Sequence, residues 1–205
     1  KAVQYIISIH IPIILTVSLP LFMGWVYPEI FTPVHVIFLE LIMGPTCSIV
    51  YENEPLEKNA MLRKPRKMTD TFLNGKELTI SIIQGIVITL GILVAYQWAV
   101  QNGGSEEKTR AIVFATLVFA NIFLSFINRS FYYSIFESFN NKNWLMPAVT
   151  LLTLIFLTLI LYAVPVSKFF KTTNLRFSEL LVTLVIAAAS VLWFELYKWI
   201  VRRKA

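Results

Sequence analysis

The sequence predicts an all-α fold, a polytopic membrane bundle of six transmembrane helices. Three observations lead there. Of 205 residues, 57% are hydrophobic and only 15% charged, and the mean hydropathy is +0.68; soluble domains carry about 25% charged residues. The apolar residues gather in long blocks of roughly 20, the length that crosses a ~30 Å hydrocarbon core at ~1.5 Å per residue. The charges lie between the blocks, where a net charge of +6 is explained by membrane topology and gives no reason to invoke nucleic acid.

The whole chain reads as one membrane domain. The first block covers residues 1–25 and carries Pro12 and Pro20. The second, 33–51, holds Gly44-Pro45 in its middle. The longest polar stretch, 52–77, contains Pro55, Pro65 and Gly75. The third block is 78–100, followed by a small loop with Gly103-Gly104 and Glu106-Glu107. The fourth is 110–128, and a loop rich in Asn and aromatic residues leads to the fifth, 144–164. A loop with Lys168, Lys171 and Arg176 precedes the sixth, 180–201, which ends in Arg202-Arg203-Lys204. Cys47 is the single cysteine, so no intrachain disulfide forms. No secretory leader pattern is visible. The chain starts at Lys1 and runs at once into apolar sequence, as expected of a piece of a longer protein. With Lys1 in the cytoplasm, 13 of the 18 Lys and Arg residues fall on that side, so the positive-inside rule places both ends in the cytoplasm.

Within the blocks a few residues are costly in lipid. Glu40 sits mid-block, and an acid there costs ~2.5–3.5 kcal/mol on insertion scales, so it is expected to face the bundle interior and mark an ion path. At helical spacing Met43, Gly44 and Cys47 share its face. Pro45 removes the N–H that would bond the Leu41 carbonyl, and Gly44 lets the backbone unwind; an interrupted helix beside a carboxylate presents carbonyl oxygens to a cation. His10, followed by Pro12, can titrate, ligate a cation or pair with Glu40. Asn121 offers a neutral oxygen at membrane depth, or an interhelical hydrogen bond. Glu195 and Lys198, three apart, are expected to form a structural ion pair. Glu40 is the candidate metal ligand, and His10 with Glu40 also suits a transition metal or a proton pathway. No phosphate loop and no metal-spaced Cys/His cluster occurs, so the chain holds no catalytic residues and no cofactor of its own.

Three stretches then carry a family resemblance: PVHVIFLELIMGPTCS at 33–48; Glu54-Pro55 followed by MLRKPR at 61–66; and Tyr162-Ala163-Val164-Pro165 with Phe169-Phe170. In this order they resemble the C-terminal membrane part of P-type cation-transporting ATPases, of the calcium-pump type and its bacterial relatives. The resemblance covers essentially the whole chain and implies the last six of ten membrane helices. It implies that the complete protein hydrolyses ATP through an aspartyl-phosphate with Mg²⁺ and moves a cation across a cell membrane, with catalytic domains and four helices lying before Lys1. These and the lipid bilayer are the partners expected. The basic string of the 52–77 loop, with Arg63, Pro65 and Arg66, has no acidic partners nearby in sequence, so the loop is expected to contact the catalytic domain; contact with anionic lipid is the alternative. The ion-binding pattern departs from that of calcium pumps. His10 stands for an Asn and Ile13 for a Glu; Glu40, Met43 and Gly44 stand for Asn, Thr and Asp; Asn121 stands for an acid. Because Ca²⁺ takes six to eight oxygens with charge compensation, one acid is expected to serve at most one divalent site, completed by other helices. Two alternatives differ in kind. An ATP-independent secondary transporter or channel complete in this chain would carry an internal repeat, and none is visible. A non-transporting membrane anchor would leave Glu40 paired off and indifferent to cations.

Overall fold

In the computed structural model, residues 1–54, 74–130 and 143–204 are described. They fold into α1 (Ala2–Phe22), α2 (Pro33–Pro45) with a π-helical continuation (Thr46–Val50), α3 (Gly75–Gln101), α4 (Glu106–Ile127), α5 (Leu145–Tyr162), the short α6 (Val164–Phe169) and α7 (Phe177–Lys204). Five of these are long and apolar enough to cross a bilayer; α2 is shorter, and its π-helical extension lengthens it. The chain is thus an all-helical membrane bundle.

The centre of the bundle is α4. In its most apolar window 78% of residues are buried, against 28–39% for the other four long helices. It packs chiefly on α7, while α1 packs on α3 and α3 bridges to both α4 and α7. Lipid offers no hydrophobic drive between helices, so such contacts depend on close fit. Gly85 provides it for α1 and α3: a Cβ there would lie 2.7 Å from the Ile11 side chain. Gly91 does the same for α3 and α7, 2.8 Å from Ser190 Cβ.

Three helices, α3, α4 and α7, start before their apolar blocks, for one reason. Asn74 and Glu77 form a reciprocal cap, with the Asn74 N–H donating to Glu77 Oε2 at 3.1 Å, so α3 starts at Gly75 inside the stretch expected to be loop. Ser105 accepts the Lys108 N–H, and Glu106 and Glu107 occupy the positive end of α4. Glu179 accepts the Arg176 N–H at 2.8 Å at the start of α7. Pro165 sits in the first turn of α6, a position its missing N–H suits. Polar capping residues satisfy the first orphan N–H groups of a helix, yet by composition they look like loop.

The expected unwinding at Gly44-Pro45 does not occur. Pro45 keeps helical angles (φ −59°, ψ −36°). The ladder instead changes register. The Thr46 N–H reaches both Ile42 O and Met43 O, and the Tyr51 N–H donates to Thr46 O, five residues back, at 3.3 Å. A π turn absorbs the proline without opening the helix.

Candidate ion path

α1 and α2 bring His10 and Glu40 together. Nε2 of His10 lies 3.1 Å from Oε1 of Glu40, with the side chains 36% and 50% exposed. The other ring nitrogen, Nδ1, is 2.8 Å from the Ile6 carbonyl one turn back, which fixes the ring and leaves Nε2 for Glu40. The pair sits on an open face of the bundle and not in its interior. Gly44 and Leu41 are exposed beside it, with Leu41 at the carbonyl that Pro45 cannot bond. Met43 departs from expectation. It is buried in the core, because a residue three positions on is turned ~60° from Glu40 about a 3.6-residue helix, enough here to cross the face's edge.

Asn121 is placed elsewhere. It is buried, and its Oδ1 accepts the hydroxyl hydrogen of Tyr5. Tyr5 packs on Tyr51 with ring centroids 5.3 Å apart, and the Tyr51 hydroxyl donates to Ser125 O at 2.9 Å. With Thr46, Ser125, Thr150 and Thr153, Asn121 lines a cleft of about 10 Å³ between α2, α4 and α5, the room one water needs. A second buried set joins α1, α3 and α4. Ser8 Oγ donates to Gln84 Oε1 at 3.0 Å, and Gln84 Nε2 donates to Asn128 Oδ1 at 3.1 Å. Gln84 stands in the third apolar block as plainly as Asn121 in the fourth; a search for polar residues within the blocks finds it, whereas a search for ionisable ones does not.

Three cationic side chains hold the ends of the bundle. Lys198 is wholly buried and donates to Glu195 Oε1 and to Ile127 O, both at 2.7 Å. Ile127 ends α4, so the Lys198 ammonium sits on the negative end of the central helix. Arg129 pairs with Glu54 through Nε (3.0 and 3.1 Å) and a terminal nitrogen (3.0 Å), and Asn143 Nδ2 donates to Glu54 Oε2 at 2.8 Å and to Val50 O at 3.0 Å. At the opposite end Arg110, counted by sequence only as a flanking charge, donates to the carbonyls of Ile30 (2.9 Å), Glu29 (3.0 Å) and Lys171 (2.8 Å) and pairs with Glu106. Arg63, Pro65 and Arg66 lie outside the described residues. Among the described residues no group of three or more His, Cys, Asp or Glu side chains could hold a metal ion.

The described helices thus form a membrane bundle with an acid–imidazole pair midway along two of them. The family described as cation transporting ATPase, C-terminus, matches residues 28–200, and the chain belongs to it. Among similar proteins, the calcium-transporting ATPase type 2C member 2 of Mus musculus is 26% identical over 83% of this chain and 18% of its own. A calcium-transporting ATPase of Listeria monocytogenes is 26% identical over 69% of this chain and 16% of its own. The calcium-transporting ATPase type 2C member 1 of Homo sapiens is 22% identical over 98% of this chain and 22% of its own. The chain spans about a fifth of the length of the curated relatives it matches.

Proposed function

We propose that this chain is the ion-translocating membrane part of an ATP-driven cation pump, and that its ion path runs along the α1–α2 face at His10 and Glu40. The carrying observation is the exposure of that pair. An ionisable side chain against acyl chains at mid-span costs ~2.5–3.5 kcal/mol, so a face bearing both His10 and Glu40 is one that protein or water covers. The preceding helices of the complete pump are the cover. They complete a coordination shell to which this chain brings the Glu40 carboxylate, the His10 ring and the Leu41 carbonyl beside Gly44 and Pro45. Ca²⁺ or another cation is the cargo; names of the relatives favour Ca²⁺, and a carboxylate–imidazole pair also suits a transition metal.

ATP and Mg²⁺ act in catalytic domains outside this chain. Both ends of the chain lie in the cytoplasm, in a cell membrane, and the segment with Arg63, Pro65 and Arg66 meets the catalytic domain. The buried Glu54–Arg129–Asn143 cluster ties together the chain after α2, the end of α4 and the start of α5, and Glu54 precedes that segment in sequence, which supports a rigid footing for such a contact.

Reconstituting the full-length protein tests the proposal. Glu40→Ala is expected to lower cation-stimulated ATP hydrolysis and transport by at least about tenfold, equivalent to ~1.4 kcal/mol or more. Stimulated rates equal to those of the native protein would exclude Glu40 from the path. Cation flux without ATP would instead favour a channel or secondary carrier.

A further inference from the structure

At the end of the bundle where α3 finishes and α4 and α7 begin, a cleft of about 270 Å³ opens between the three helices, lined among others by Lys108, Arg176, Ser178, Glu179, Trp98 and Ile112. Its size falls just below that of pockets for whole small molecules (~300–1,000 Å³). The acid in it is already committed. Glu179 Oε1 lies 2.6 Å from Lys108 Nζ, and Oε2 accepts the Arg176 backbone N–H at 2.8 Å. What remains toward the cleft is a set of donors: the Arg176 guanidinium, whose side chain makes no hydrogen bond among the described residues, the remaining N–H groups of Lys108, and the Ser178 hydroxyl. Two cations against one neutralised carboxylate give a net positive site. A guanidinium with a free fork matches a phosphate's paired oxygens. Phe177, adjoining the site in sequence, is 81% exposed, and Trp98 stands at a helix end, where amphipathic rings mark the membrane interface.

We propose that this cleft binds a phosphate group, either that of an anionic glycerophospholipid headgroup, with its chains along Phe177, or a free phosphate ion. The site is separate from the His10–Glu40 face and does not depend on it.

Full-length protein purified in detergent and stripped of lipid provides the test, by native mass spectrometry with phosphatidylglycerol and by calorimetric titration with inorganic phosphate. Arg176→Gln is expected to weaken binding at least about fivefold. Ser178→Asp, which places an acid where a helix N-terminus favours it, is expected to abolish binding while keeping the fold. Arg203→Gln, at the far end of α7, is expected to change nothing. Weakening seen with phosphatidylglycerol identifies a lipid site; weakening seen only with inorganic phosphate identifies an ion site. Equal affinities of Arg176→Gln, Ser178→Asp and native protein for both probes would overturn the proposal.

Discussion

Replacing Arg110 by Met will cost the folded bundle about 3–5 kcal/mol. The side chain is 3% exposed, and three of its N–H groups end on backbone carbonyls from two separate segments, Glu29 and Ile30 before α2 and Lys171 after α6. Methionine fills much of the volume but donates nothing, so three carbonyls lose their partners at once. Lys171 also holds a left-handed backbone, φ +49°, unusual for a residue with a side chain, and the Arg110 contact to its carbonyl helps hold that turn. Glu106→Gln will cost well under about 1 kcal/mol, because that partner is 50% exposed and exposed pairs contribute little. Denaturant or thermal midpoints of the two full-length variants check the contrast.

The second large effect is expected at the other end. Arg129 and Glu54 are 4% and 3% exposed. Arg129→Met leaves the Glu54 carboxylate buried with Asn143 as its remaining hydrogen-bond partner among the described residues, and is expected to cost about 3–5 kcal/mol. The double variant Glu54→Gln, Arg129→Met removes both charges and is expected to recover more than half of that, since a buried pair is far costlier to break than to replace. The same midpoints, read as a double-mutant cycle, give the coupling between the two residues.

How legible these features were in the sequence follows from the physics of each. Burial in lipid demands long apolar runs, so the helices and their order could be read directly. Their starts could not, because Asn74, Ser105 and Glu179 are polar for the sake of orphan N–H groups and so resemble loop. Pro45 correctly marked a disturbed helix, but whether a freed carbonyl leads to unwinding or to a π register depends on what the next residues can bond; here Thr46 reaches two carbonyls. Glu40 and His10 stood out because ions are rare at mid-span, and their spacing on two helices allowed the 3.1 Å contact without dictating it. Arg110 and Arg129 were hidden by position. A cation at the end of an apolar block reads as a topology signal, and only the fold reveals carbonyls and a carboxylate brought to it from residues 61 or more positions away. The stretch with Arg63, Pro65 and Arg66 is known from its sequence alone.

On the proposed ion path Glu40 is covered by protein or water, open to cations, and does not face lipid. Carbodiimide modification of Glu40 in the reconstituted full-length protein tests this without a substitution. Labelling is followed by mass spectrometry while candidate cations (Ca²⁺, Mn²⁺, Zn²⁺, Na⁺ and K⁺) are titrated. One of them is expected to protect Glu40, with half-protection at the concentration that half-stimulates ATP hydrolysis. Labelling that proceeds at the same rate with every cation and without any would contradict the claim.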